Sequence, residues 1–188
     1  MSTTLAPDQV AATVAFHGHL CPGLAWGMRV AEVALHILGP RSQDEELVAV
    51  VETDNCAVDA IQYLMGCTFG KGNLRYLDHG QNVFTFSNRT NSRAVRISRN
   101  PTWQMPEQAQ DHPARAQAIL ERPLEELLCV EELTAYVPPE VAQIQPSRPC
   151  AACGQPTMAS RLQTLAGREF CPTCLAVELQ NGVFIQSG

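Results

Sequence analysis

Two CxxC pairs, Cys150/Cys153 and Cys171/Cys174, stand near the end of this chain with seventeen residues between them. Each pair offers two sulfurs from one tight turn, and four thiolates fill the tetrahedral shell that Zn²⁺ prefers. The intervening "SRLQTL" and "REF" predict a hairpin about "AG", and "PTCLAVELQ" predicts a helix that begins inside the second pair. Knuckle, hairpin and ligand-bearing helix are the parts of a treble-clef finger. A segment of this size buries little core, so a structural Zn²⁺ is expected to supply its folding energy. With every position taken by thiolate no open site remains for catalysis.

A second constellation lies in "AFHGHLCPGLAWGMR", residues 15–29, where two histidines and a cysteine share five positions. In an extended run His17, His19 and Cys21 point the same way. Cys21 precedes Pro22 at the expected N-cap of a helix, where free amide N–H groups and the helix dipole favour a thiolate. Cys56, just after Asp54 and Asn55, repeats the arrangement at a second helix start. Two such termini meeting in one pocket would bind a metal or an anion. The expected second metal set is His19, Cys21 and Cys56, with His17 and Cys67 as further pocket members and Cys21 or Cys56 as the candidate catalytic thiol. Against this stands the habit of free cysteine to be buried filler. Cys129, in "EELLCVEEL", reads as core.

Two further features are weaker. "FGKGN", residues 69–73, has the glycines for a backbone nest but not the spacing of a phosphate loop, and reads as a flexible loop. Arg89, Arg93, Arg96 and Arg99 fall in a stretch without an acid from 79 to 106. Such runs are usually solvated strand faces, although this one suits an anionic ligand.

The elements that must carry these residues can be read from periodicity. Leu24, Met28, Ala31, Leu35 and Leu38 recur at helical steps between Pro22 and the stop at Gly39–Pro40. "ELVAVVET" is a buried strand, and "NCAVDAIQYLMG" a helix with Val58, Ile61 and Met65 on one face. "NVFTFS" and "RAVRIS" alternate as the arms of a hairpin around "NRTNS". Helices are expected near 107–120 and 123–133. Four prolines in "YVPPEVAQIQPSRPC" remove backbone donors and predict a linker. The expected organisation is an α+β core over 1–136, a linker over 137–149 and a four-cysteine finger over 150–188.

With 45% hydrophobic and 17% charged residues the chain is globular. No apolar run reaches the roughly 20 residues that span a bilayer. The N-terminal stretch lacks the basic start and apolar core of a signal peptide, so a cytoplasmic protein without membrane contact is expected. In that compartment cysteines serve as ligands or reactive thiols rather than disulfides. A net charge of −6 gives no pull toward nucleic acid, and the finger, with three arginines against two glutamates over residues 147–188, adds little.

"FHGHLCPGLAWGMR" and "ETDNCAVDAIQYLMGCTFGKGNL" resemble the FmdE family of formylmethanofuran dehydrogenase components. The matching positions are His17, His19, Cys21, Pro22, Gly23, Gly27 and Arg29, then Cys56, Asp59, Gln62, Gly66, Cys67, Thr68, Gly70, Gly72 and Asn73. The resemblance implies an α+β core with a pocket at these residues, an added finger, a homodimer, and association with C1 or molybdenum/tungsten enzymes. It does not imply dehydrogenase activity of this chain, since that chemistry is assigned to pterin machinery on other subunits. The expected function is a metal-binding accessory protein with Zn²⁺ in the finger and a divalent metal, Zn²⁺ or Ni²⁺, in the core. The alternatives are a ligand-sensing regulator whose finger docks a partner or nucleic acid, and a Cys/His thiol enzyme.

Overall fold

A computed structural model describes residues 3–41 and 43–183. The chain divides into two compact units, 1–142 and 143–188.

In the first unit the order is α1 (Pro7–His17), α2 (Pro22–Leu38), β1 (Leu47–Val51), α3 (Ala57–Met65), β2 (Leu74–Tyr76), β3 (Val83–Asn88), β4 (Arg93–Arg99), α4 (His112–Glu121), α5 (Leu124–Leu127) and β5 (Leu128–Leu133). The strands form one sheet in the order β2-β1-β3-β4-β5, with β1 and β2 parallel and the other pairs antiparallel. The expected α+β class therefore holds, with β3 and β4 as the expected hairpin.

α2 is the central helix. Its apolar stripe is broad: Leu24, Met28, Val30, Ala31, Val33, Ala34 and Leu38 are all buried, and Leu35 is half-buried. It packs on β3 and β4 and against α3 and α4, facing Phe84, Phe86, Val95 and Ile97. Wholly buried Arg29 is held by the Glu32 carboxylate at 2.6 Å and the Arg122 carbonyl at 2.7 Å. Glu32 also accepts from the Thr4 N–H and from both the Thr3 and Thr4 hydroxyls, which fixes Thr3 and Thr4 against α2. Burial lowers the Arg29 pKa, and Glu32 works against that shift.

Where sequence and structure differ, tertiary context decides. The stretch expected to be one helix over 123–133 is a single turn, α5, followed by β5, which satisfies the outer edge of β4 through residues 94–99. Cys129 consequently lies exposed on an edge strand, and its placement in the core is corrected. The helix expected from 107 begins at His112, where the Asp111 carboxylate caps the Ala114 N–H at 2.8 Å. Periodicity alone indicates neither α1 nor β2.

The second unit contains β6 (Ser147–Pro149), β7 (Pro156–Met158), a 3-10 turn at Ala159–Arg161, β8 (Gln163–Leu165), β9 (Arg168–Phe170) and α6 (Pro172–Val183). β6 and β7 pair around the first CxxC, and β8 and β9 form the expected hairpin. Its turn is Ala166 and Gly167, both with positive φ, as a two-residue hairpin with the right twist requires. Among the described residues no helix is long and apolar enough to cross a membrane.

Candidate functional site

Three helix termini meet in the first unit. α1 ends on His17 because Gly18 takes φ 101°, a left-handed conformation that stops the helix while its N–H bonds to the Val14 carbonyl. Three residues further, Cys21 is the N-cap of α2 and its sulfur accepts the Leu24 N–H at 3.4 Å. Cys56 is the N-cap of α3. Beside it, the Asn55 side chain accepts the Ala57 N–H at 2.9 Å. Two positive helix ends thus bear cysteines, and one negative end bears a histidine.

Close approach of α2 and α3 is made possible by two glycines. A Cβ on Gly27 would sit 2.3 Å from the Ala57 carbonyl oxygen, and one on Gly23 would sit 3.0 Å from Cys56 Cβ. One donor atom from each of His17, Cys21 and Cys56 lies within 4.8 Å of the others. His17 Nε2 is 3.7 Å from Cys21 Sγ. On its other side, His17 Nδ1 is 2.7 Å from Asp59 Oδ2, and Asp59 Oδ1 accepts from Gln62 Nε2 at 3.4 Å. With Nδ1–H donating to that carboxylate, Nε2 presents its lone pair toward the sulfurs. Cys21 is buried and Cys56 half-buried. Burial raises the Cys56 thiol pKa, and its hydrogen bond and charge interaction with Cys21 raise it further.

The donors brought together are therefore His17, Cys21 and Cys56, with His17 where His19 was expected. The run is helix end, left-handed glycine and cap, not a strand, so side-chain alternation does not govern it. His19 is exposed, its ring 4.8 Å from that of His17. Cys67 lies apart in the core, its thiol donating to the Leu47 carbonyl at 3.4 Å, and burial pushes its pKa up to about 12. Asp59 is one of the family-matching positions at which a pocket is expected, but its role of holding His17 Nδ1 is one that only the structure shows. Its signal was its place in the first turn after Cys56. The "FGKGN" loop is organised by Asn73, whose buried amide donates to the carbonyls of Leu47, Asp44 and Gly66. The arginines go separate ways: Arg93 pairs with Glu132, and Arg99 stacks over Trp26 and Trp103.

In the second unit the sulfurs of Cys150, Cys153, Cys171 and Cys174 also lie within 4.8 Å of one another. A tetrahedron with Zn–S bonds of about 2.3 Å has sulfurs about 3.8 Å apart, so the set fits. Backbone N–H groups of Cys153, Cys171 and Ala152 pull the Cys150 pKa down to about 6. Hydrogen bonds to the thiols of Cys171 and Cys153 push Cys174 up to about 12. Four sulfurs so close cannot all ionise unless a cation sits among them.

A solved structure of a tungsten formylmethanofuran dehydrogenase FmdE-like protein from Syntrophus aciditrophicus shares the fold, with a TM-score of 0.68 over 93% of this chain and 94% of that one at 21% identity. A probable S-adenosyl-L-methionine-binding protein from Archaeoglobus fulgidus is 40% identical over 87 residues, 44% of this chain. The chain spans 24% of that protein's length. The family described as FmdE, molybdenum formylmethanofuran dehydrogenase operon, matches residues 16–132, a span that holds both cysteine-capped helices and His17. On that match the chain belongs to the FmdE family.

Proposed function

We propose that this chain is a metal-binding accessory protein in which His17, Cys21 and Cys56 hold a divalent metal in the core, while Cys150, Cys153, Cys171 and Cys174 hold a structural Zn²⁺ in a treble-clef finger. The observation that carries the core site is the convergence of one nitrogen and two sulfur donors, backed by the Asp59 carboxylate on the far ring nitrogen. Carboxylate–histidine–metal is the usual way such a ring is oriented. Mixed N/S donors of borderline softness suit Zn²⁺ or Ni²⁺. Three protein ligands leave a fourth position for a small ligand. Family membership supports a working association with formylmethanofuran dehydrogenase complexes, and a cytoplasmic homodimer is part of the reading.

Elemental analysis of the purified chain tests this. Two metals per chain are expected, falling to one in Cys21→Ser/Cys56→Ser. A single metal that vanishes with the finger cysteines, leaving nothing for the core, overturns the core site.

One observation favours a second reading. Cys21, His17 and Asp59 also form a thiol–imidazole–carboxylate relay, through which the thiol proton could pass to Nε2 and leave a nucleophilic thiolate. That reading gains if the core is metal-free and Cys21 alkylates with an apparent pKa well below about 8.5. The Archaeoglobus relative's name makes S-adenosylmethionine the first small molecule to titrate under a regulator reading.

A further inference from the structure

The β3–β4 hairpin and the segment after β5 enclose a hollow of about 180 Å³ that the metal chemistry does not use. Its walls include Ser87, Arg89, Arg93, Ala94, Tyr136 and Pro138. At about 30 Å³ per liquid water, this is room for roughly six waters, or one small ion with part of its shell.

Ser87 is 3% exposed, and its hydroxyl has no hydrogen-bond partner among the described residues. Buried polar groups in native proteins are almost always paired, so this one calls for a partner. Arg89 supplies a second, independent imbalance. Its guanidinium donates to the carbonyls of Glu45 at 3.2 Å and Pro139 at 2.8 Å, both neutral acceptors. Among the described residues it forms no ion pair with a carboxylate. Arg93 has Glu132 at 3.0 Å, an exposed pair that competes weakly with a better-placed anion. Among the described residues no Asp or Glu lines the hollow. Burial raises the Tyr136 pKa, so its phenol keeps its proton.

We propose that this hollow binds a small oxyanion of phosphate size, with Ser87 Oγ donating the hydrogen bond it otherwise lacks and Arg89 and Arg93 supplying the charge. Guanidinium groups and hydroxyl donors are the usual partners of such an anion.

Inorganic phosphate titrated into the full chain at constant ionic strength, with chloride as the matched control, tests the site by calorimetry and thermal shift. Saturable binding with a rise in Tm is expected, and it should persist in Cys21→Ser/Cys56→Ser, which separates this site from the metal centre. Ser87→Ala should weaken binding at least fivefold while the ligand-free Tm stays equal or rises, because the hydroxyl it removes is unpaired. Arg93→Gln, on an exposed side chain, should weaken binding similarly and covers the case in which Ser87→Ala disturbs folding. Absence of saturable binding, or equal affinity in wild type and both variants, overturns the proposal.

Discussion

Serine at both Cys153 and Cys174 is expected to unfold the second unit and leave the first intact. Among its described residues that unit buries Cys150 and Phe170 and little else of hydrophobic character, so it has no apolar core able to offset the entropy of ordering its backbone. Its strands are three residues each. What holds it is the crossing of the two knuckles: the Cys171 N–H on Cys150 Sγ at 3.3 Å, and the Ala151 N–H on the Glu169 carbonyl at 2.8 Å. Structural Zn²⁺ contributes apparent binding free energies of about 10–16 kcal/mol in finger peptides near neutral pH, and that is folding free energy. Hydrogen exchange should show the amides of β8 and β9 at unstructured rates in the variant, with β3 and β4 protected as before. Retained protection in β8 and β9 would mean that the metal is not what folds the unit.

Gly27→Ala is expected to be the most damaging single methyl in the core. Its Cβ would fall 2.3 Å from the carbonyl oxygen, 2.6 Å from Cα and 2.8 Å from C of Ala57, all backbone, so no side chain can swing aside. Overpacking of this kind costs about 1–3 kcal/mol when side chains absorb it and more when a helix must move. A loss of at least about 3 kcal/mol is expected, roughly 10 °C in Tm for a unit of this size. The same displacement carries Cys56 away from Cys21, so core metal should fall with stability. Gly70→Ala, with nothing within 4 Å of its Cβ, is the control and should behave as wild type. An unchanged Tm and metal content in Gly27→Ala would refute the close α2–α3 packing on which the site depends.

Much of this arrangement is legible in the sequence, for reasons that differ by element. α2 is dense in apolar residues at helical spacing and has Pro22 and Gly39 at its ends, so both its limits and the capping role of Cys21 follow. The hairpin of β3 and β4 alternates cleanly because one face packs on α2. The four-cysteine cluster is legible because two CxxC pairs stand out in the sequence whatever their burial, and the structure brings all four sulfurs within 4.8 Å of one another.

α1 escapes a reading by periodicity although its stop is local: Gly18 is the left-handed cap. Taking 17–21 as extended makes His19 the ligand, whereas the helix end turns His17 inward. β5 escapes because Leu124, Leu127, Leu128 and Leu133 suit a helix locally, and the open edge of β4 is a tertiary fact. Asp59 could be found by asking what orients His17, a question that needs the α1–α3 contact first. The Ser87 hydroxyl, without a partner among the described residues, has no sequence signal at all.

The proposed metal-binding role of the core depends on His17, Cys21 and Cys56 holding one ion together. Zinc-edge X-ray absorption on the chain with Cys150, Cys153, Cys171 and Cys174 all replaced by serine addresses this directly, since the core then holds the remaining donors of interest. Retained zinc is expected, with two sulfurs at about 2.3 Å and an imidazole nitrogen at about 2.0–2.1 Å. Loss of all zinc with no nickel in its place, or a shell of oxygen and nitrogen without sulfur, would contradict it.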